Sequence, residues 1–233
     1  MVPCLLAAIA LSARAAPVEA PAPPADLAAL VLPASALGLG DMRWNAGAAS
    51  LGGATLDALG RGDFGAVYAH PAEPSQVVKI SADGFGVTRH RSLQDMERDA
   101  LAEAARTRQL ARIGAGPELV AVTRVSHRLQ PLLDRMAAFF RVPAPDWSRP
   151  ALVKERVIGR TVADLRRTGD WTPRHEELAR ELRARLRAAG LRSLDMHDEN
   201  VMIGRTARRP YDEAYLVDAG GVRSALSAPA PTP

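Results

Sequence analysis

The chain has 233 residues, of which 47% are hydrophobic and 24% charged, and its net charge is +4. That length and apolar content support one domain of two lobes around a real core, and the mild charge gives no argument for nucleic acid. A single cysteine, Cys4, excludes a disulfide framework and a Cys-based zinc site, and the five histidines show no metal-ligand spacing. Aromatic residues are only 4% of the chain, so the core must be built from Leu, Val and Ala.

Residues 4 to 11 are a short apolar run followed by Ala13-Arg14-Ala15, similar to a signal-peptide core with its cleavage site. The run is too short to span a bilayer, and no membrane span is expected. Residues 16 to 36 are rich in Ala and Pro and read as a disordered leader, and 37 to 54 as an irregular, glycine-rich lead-in. A leader is therefore expected over 1–45.

Leu56 to Leu59 and Val67 to His70 read as a strand pair enclosing Gly60-Arg61-Gly62-Asp63-Phe64-Gly65, and Gln76 to Ser81 as the next strand, carrying Lys79. Glycines at this spacing let a backbone approach a polyphosphate that a Cβ would hold off. Ser92 to Ile113 reads as a helix, with Ser92 and Asp95 near a capping box and Gly114 as the stop. Met96, Ala100, Thr107 and Leu110 make its inward stripe, and Glu103 interrupts that stripe. An inward carboxylate needs a cationic partner, because an unpaired buried charge is costly. Glu97 and Asp99 are the competitors for that role.

Pro117 to Val125 reads as a strand. Residues 126–150 read as an insertion with four prolines (Pro131, Pro143, Pro145 and Pro150), and its aromatics Phe139, Phe140 and Trp147 are expected to pack locally, a partner surface being the alternative. Ala151 to Gly159 reads as a strand leading into a hinge. Thr172 to Ala189 is a second helix, capped by Thr172 and ended by Gly190; Leu178, Leu182 and Leu186 face inward and its arginines face solvent.

Two further motifs follow. Asp195 and Asn200 stand five apart in Leu194-Asp195-Met196-His197-Asp198-Glu199-Asn200, and Asp218-Ala219-Gly220 follows the apolar run Tyr215-Leu216-Val217. Glycine loop, lysine, Asp-x4-Asn and Asp-x-Gly occur in the order of the protein kinases, and residues 55 to 221 resemble that family. The resemblance implies an α+β bilobal fold with an antiparallel five-stranded small lobe over 46–157, carrying the insertion 126–150. It also implies a truncated, mainly helical large lobe over 158–225 and a disordered tail over 226–233.

The same resemblance implies ATP and Mg2+ as cofactors and a role for each matching residue. Gly60, Gly62, Phe64, Gly65 and Val67 would enclose the nucleotide, and the backbone of Glu155 and Val157 would meet the adenine edge. Lys79, held by Glu103, would bind the phosphates. Asp218 and Asn200 would hold the metal, and Asp195 would serve the attacking hydroxyl. Lys154 stands where the family usually has an apolar residue, and Ser193-Leu194 replace the usual His-Arg, so that no arginine is present to sense a loop phosphate.

With little chain after Asp218, the pattern is similar to the compact type III effector kinases of bacterial pathogens. That likeness implies a constitutively active Ser/Thr protein kinase, secreted and delivered into a host cell. Its expected partner is a host protein substrate such as a chaperone or a signalling protein. The basic residues are nearly all arginine, Lys79 and Lys154 being the only lysines; a GC-rich genome or avoidance of ubiquitin attachment in a host would each give that bias. Asp195-x-His197-x-x-Asn200 also resembles the aminoglycoside and choline kinases, a runner-up class, and a nucleotide-binding pseudokinase is the non-enzymatic alternative.

Overall fold

A computed structural model describes residues 25–45, 48–62, 65–81, 92–193, 196–220 and 222–224. The main sheet has eight strands: β1 (Met42–Asn45), β2 (Ala48–Leu51), β3 (Ala54–Leu56), β4 (Ala58–Gly62), β5 (Gly65–Ala69), β6 (Gln76–Ser81), β7 (Leu119–His127) and β8 (Arg149–Glu155). Their spatial order is β3-β2-β1-β7-β8-β6-β5-β4. The five-stranded antiparallel small lobe expected from sequence is therefore corrected. The sheet is larger by β1 to β3, and β1 pairs with β7 in parallel. These strands were read as irregular because each is only three or four residues long, too short to display a clear two-residue period. In β1 the period is plain once seen: Met42 and Trp44 are buried while Arg43 and Asn45 are not.

One face of the sheet shares a core with the lead-in. Leu39, Met42, Trp44 and Ala49 pack with Tyr68, Val78, Ile80, Val125 and Val153. The other face is covered by α2 (Leu93–Arg112), whose Ala100 and Ala104 meet Leu119, Val122 and Leu152. Leu27, in the short α1 (Ala25–Ala28), is buried in that same cluster, and Val31 bridges to Val122. Within the stretch expected as a leader, Leu27 and Leu39 are therefore packed against the sheet. Residues 1–24 and 225–233 lie outside the described residues.

Between β7 and β8 the segment read as an insertion contains α3 (Gln130–Phe140). Pro131 falls in its first turn, where a proline costs no hydrogen bond, so it does not break the helix. Phe139 and Phe140 stack edge-to-face at 5.1 Å but stay 78% and 51% exposed, against the expectation that they pack locally.

The remainder is built from β9 (Ile158–Thr161), α4 (Val162–Arg167), α5 (Pro173–Ala188), β10 (Leu191–Ser193), β11 (Val201–Arg205), β12 (Glu213–Leu216) and β13 (Val222–Ser224). Among the described residues this part is as much strand as helix, not mainly helical. β12-β11-β9 form one sheet and β10-β13 a second. Thr172 caps α5 through a capping box with His175, and Leu178, Leu182 and Leu186 pack on Val201, Ile203 and Leu216. Arg185 departs from the solvated face expected for this helix. It is half-buried and donates to Glu213 and to the Ala214 carbonyl, tying α5 to β12. No described helix is long and apolar enough to cross a membrane.

Candidate active site

Sheet register brings the chain's two lysines together. Lys79 on β6 is paired with Leu152 on β8, and Val77 with Lys154. Directly opposed residues of antiparallel strands share a face, so Lys79 and Lys154 are diagonal neighbours on the face under α2. Ser92 Oγ accepts from the Asp95 N–H and starts that helix; Met96, Ala100, Ala104, Thr107, Leu110 and Ala111 are its buried stripe. Glu103 sits beside Ala104 and reaches both lysines.

Lys79 Nζ donates to Glu103 Oε1 and Oε2 at 2.9 and 3.0 Å and to Asp218 Oδ2 at 2.9 Å. Lys154 Nζ donates to Glu103 Oε1 at 3.1 Å and to the Val217 carbonyl at 3.1 Å. The competing acids on α2 go elsewhere. Glu97 pairs with Arg124, and Asp99 lies 3.7 Å from Arg98.

Asp218 follows β12 and is fixed by its neighbours. Its Oδ1 accepts from Gly220 N–H at 2.9 Å, and Arg106, one turn beyond Glu103, donates to the Gly220 carbonyl at 2.8 Å. Asn200 precedes β11, which pairs with β12, and Val217 N–H donates to the Asn200 carbonyl at 3.0 Å. Asn200 is thus brought beside the residue that precedes Asp218. Its Nδ2 lies 3.1 Å from His197 Nε2. Asp195 and Leu194 lie outside the described residues, as do Asp63 and Phe64 at the glycine-hairpin tip.

Charge in the cluster balances, with two ammonium and two carboxylate groups whose side chains are 4 to 30% exposed. Burial disfavours the charged form of Lys79, but Glu103 and Asp218 outweigh it and raise its pKa. Burial likewise opposes the Glu103 charge, and Lys154 and Lys79 overcome it, so the Glu103 pKa is lowered. Asp218 is also opposed by burial, yet Lys79 and Lys154 hold it down to about 2, from an ordinary 3.8.

A lowered carboxyl pKa stabilises the folded state above the ordinary value and loses that stabilisation as pH falls through the lowered one. The stabilisation from Asp218, on the order of 2 kcal/mol, is therefore expected to disappear between about pH 4 and pH 2. Urea unfolding at stepped pH measures it, and Asp218→Asn is expected to flatten the loss in that window.

The glycine hairpin is β4 and β5, with Gly62 paired to Gly65 and Val67 paired to Lys79. Its glycines differ. A Cβ on Gly65 would lie 2.4 Å from the Ile80 carbonyl oxygen, so this glycine is demanded by packing against β6. A Cβ on Gly60 would meet nothing within 4 Å. Gly65→Ala is expected to lower the melting temperature by several degrees. Gly60→Ala is expected to leave melting unchanged and to weaken ATP binding, measured by titration.

The hinge expected at Glu155 and Val157 lies at the end of β8. Glu155 N–H donates to the Glu118 carbonyl and its Oε1 accepts from Arg208 N–H. Val157 is buried, at 9% exposure.

Asp218 fits a divalent metal in two respects. It is ionised at any ordinary pH, and its carboxylate is 30% exposed and so reachable. No group of three or more His, Cys, Asp or Glu that could hold a metal exists among the described residues. A single Asp and an Asn are donors for magnesium that shares its coordination with phosphate oxygens.

Sequence reasoning noticed Lys154 only as a departure from the family pattern, and it missed Arg106. The two-lysine count was the signal for the first. The three-residue step from Glu103 to Arg106 on one helix face was the signal for the second.

No family model matches the chain, and no curated protein matches it. Solved structures similar to it include a high-resolution structure of WbdD, at 17% identity and a TM-score of 0.46, covering 75% of this chain and 34% of that one. Another is described as the bifunctional kinase-methyltransferase WbdD, at 19% identity and a TM-score of 0.41, covering 66% and 30%. The chain spans about a third of the length of these structures.

Proposed function

We propose that the chain is a phosphotransferase of the protein-kinase type that uses ATP and a divalent metal to phosphorylate a serine or threonine hydroxyl. The observation that carries this reading is the ion-paired group Lys79, Glu103 and Asp218, one strand from a glycine hairpin. Lys79 would bind the α- and β-phosphates with Glu103 fixing its direction, and the hairpin would cover them. The Glu155 carbonyl and Val157 N–H would read the adenine edge.

Asp218 and Asn200 would hold magnesium, which when bound neutralises charge on the phosphates. In the transfer the acceptor oxygen bonds to the γ-phosphorus as the β–γ bridging bond breaks. ADP leaves and the hydroxyl proton passes to Asp195. By likeness to the type III effector kinases, the proposal extends to a secreted enzyme whose acceptor is a host protein, a chaperone among the candidates.

A small-molecule kinase is the second reading. It is favoured by one contact: His197 and Asn200 of the Asp-x-His-x-x-Asn loop lie within hydrogen-bonding distance. Incubation with γ-labelled ATP, magnesium and either host-cell lysate or an aminoglycoside and choline separates the two. Label on protein supports the first reading, and label on the small molecule the second. ATP binding without any transfer would leave a pseudokinase.

A further inference from the structure

Lys154 is a cation where an apolar side chain would fill the same strand position, and it is only 3% exposed. A buried lysine with no task would be costly, and both of its visible bonds go to groups of the candidate site. One goes to the Glu103 carboxylate and the other to the carbonyl of Val217, the residue before Asp218. Lys154 thus connects β8, α2 and the Asp218 segment. It also neighbours Glu155, the residue assigned to the adenine edge.

Its usefulness follows from what Lys79 has to share. The Lys79 ammonium already serves two carboxylates, contacting both oxygens of Glu103 and one of Asp218. A phosphate held by Lys79 has to share that ammonium with them. Asp218 must turn some of its lone pairs to a metal at the same time. Glu103 would then lose part of its compensation inside a desolvated site. Neither bond of Lys154 has to open for the ligand to enter.

We propose that Lys154 is a positioning residue for phosphate transfer, a second cation on Glu103 that holds α2 and the Val217-Asp218 segment in place while Lys79 engages the phosphates. This rests on the phosphotransferase reading. It gives the site a lock within the fold itself, in a chain whose Ser193-Leu194 pair carries no arginine for a phosphorylated loop to organise.

The test is a double-mutant cycle on the full chain, with kcat and KM for ATP measured for wild type, Lys154→Met, Glu103→Gln and the double variant. Lys154→Met is expected to lower kcat by about tenfold or more while KM changes less than about threefold. In the Glu103→Gln background, removing Lys154 is expected to cost less than about threefold further, because its partner charge is already gone. A residue that merely supports the fold would give equal losses in both backgrounds, and that result would overturn the proposal.

Should Lys154→Met not fold, Lys154→Gln serves. It keeps a donor for the Val217 carbonyl but lacks the charge, and unchanged kcat in that variant refutes the role. Wild type without transfer activity would overturn the phosphotransferase reading and this proposal with it. Active wild type with unaffected Lys154 variants would overturn this proposal alone.

Discussion

Lys79→Ala is expected to lower phosphate transfer by roughly a thousandfold or more, without unfolding the protein. The loss follows from its position. Lys79 is the cation that joins Glu103 on α2 to Asp218 behind β12, and no arginine can replace a compact ammonium at this spot without shifting both. The fold is expected to survive because Glu103 keeps Lys154 at 3.1 Å. A carboxylate left buried with no partner would cost several kcal/mol, on the order of 3 to 5, and here one partner remains. Circular dichroism and a melt taken beside the transfer assay separate the two effects. A variant that loses activity only because it has unfolded would show no cooperative melt.

Asp218→Asn is expected to cost transfer about as much, again roughly a thousandfold, and for a different reason. The substitution keeps an oxygen that can accept from Gly220 N–H, so the turn at Asp218-Ala219-Gly220 is retained. What disappears is the negative charge that a magnesium ion requires. ATP titrations with and without magnesium check this. Wild type is expected to bind more tightly with the metal, and the variant is expected to lose that difference. The acid-stability measurement on the same variant is independent of nucleotide, so a site that is ionised as described but unused for transfer would be recognised.

Much of the site was legible in the sequence because its groups sit on short, rigid spacings. The glycine hairpin, Lys79 on the next strand and Asp218 behind an apolar run are each local patterns. Glu103 was legible for a physical reason, as a carboxylate interrupting an otherwise apolar helical stripe. Lys154 was not, since its meeting with Glu103 depends on the register of β6 against β8 and on where α2 lies over them. No spacing along the chain encodes those. In the fold, α2 and α5 were legible from caps and from inward residues at three- and four-residue steps. β1 to β3 were hidden by being only three or four residues long, and α3 by a proline that sits harmlessly in its first turn. Leu27 was passed over because a single apolar residue in an Ala/Pro stretch carries no period, although its burial ties residues 25–45 to the core.

The measurement that bears most directly on the central claim is the initial rate of γ-phosphate transfer from labelled ATP, with magnesium and a lysate as acceptor. It compares wild type with Lys79→Ala and Asp218→Asn. Transfer by wild type that depends on the metal and is absent in both variants is the result expected. Transfer retained within a few-fold in either folded variant would contradict the assignment of this site.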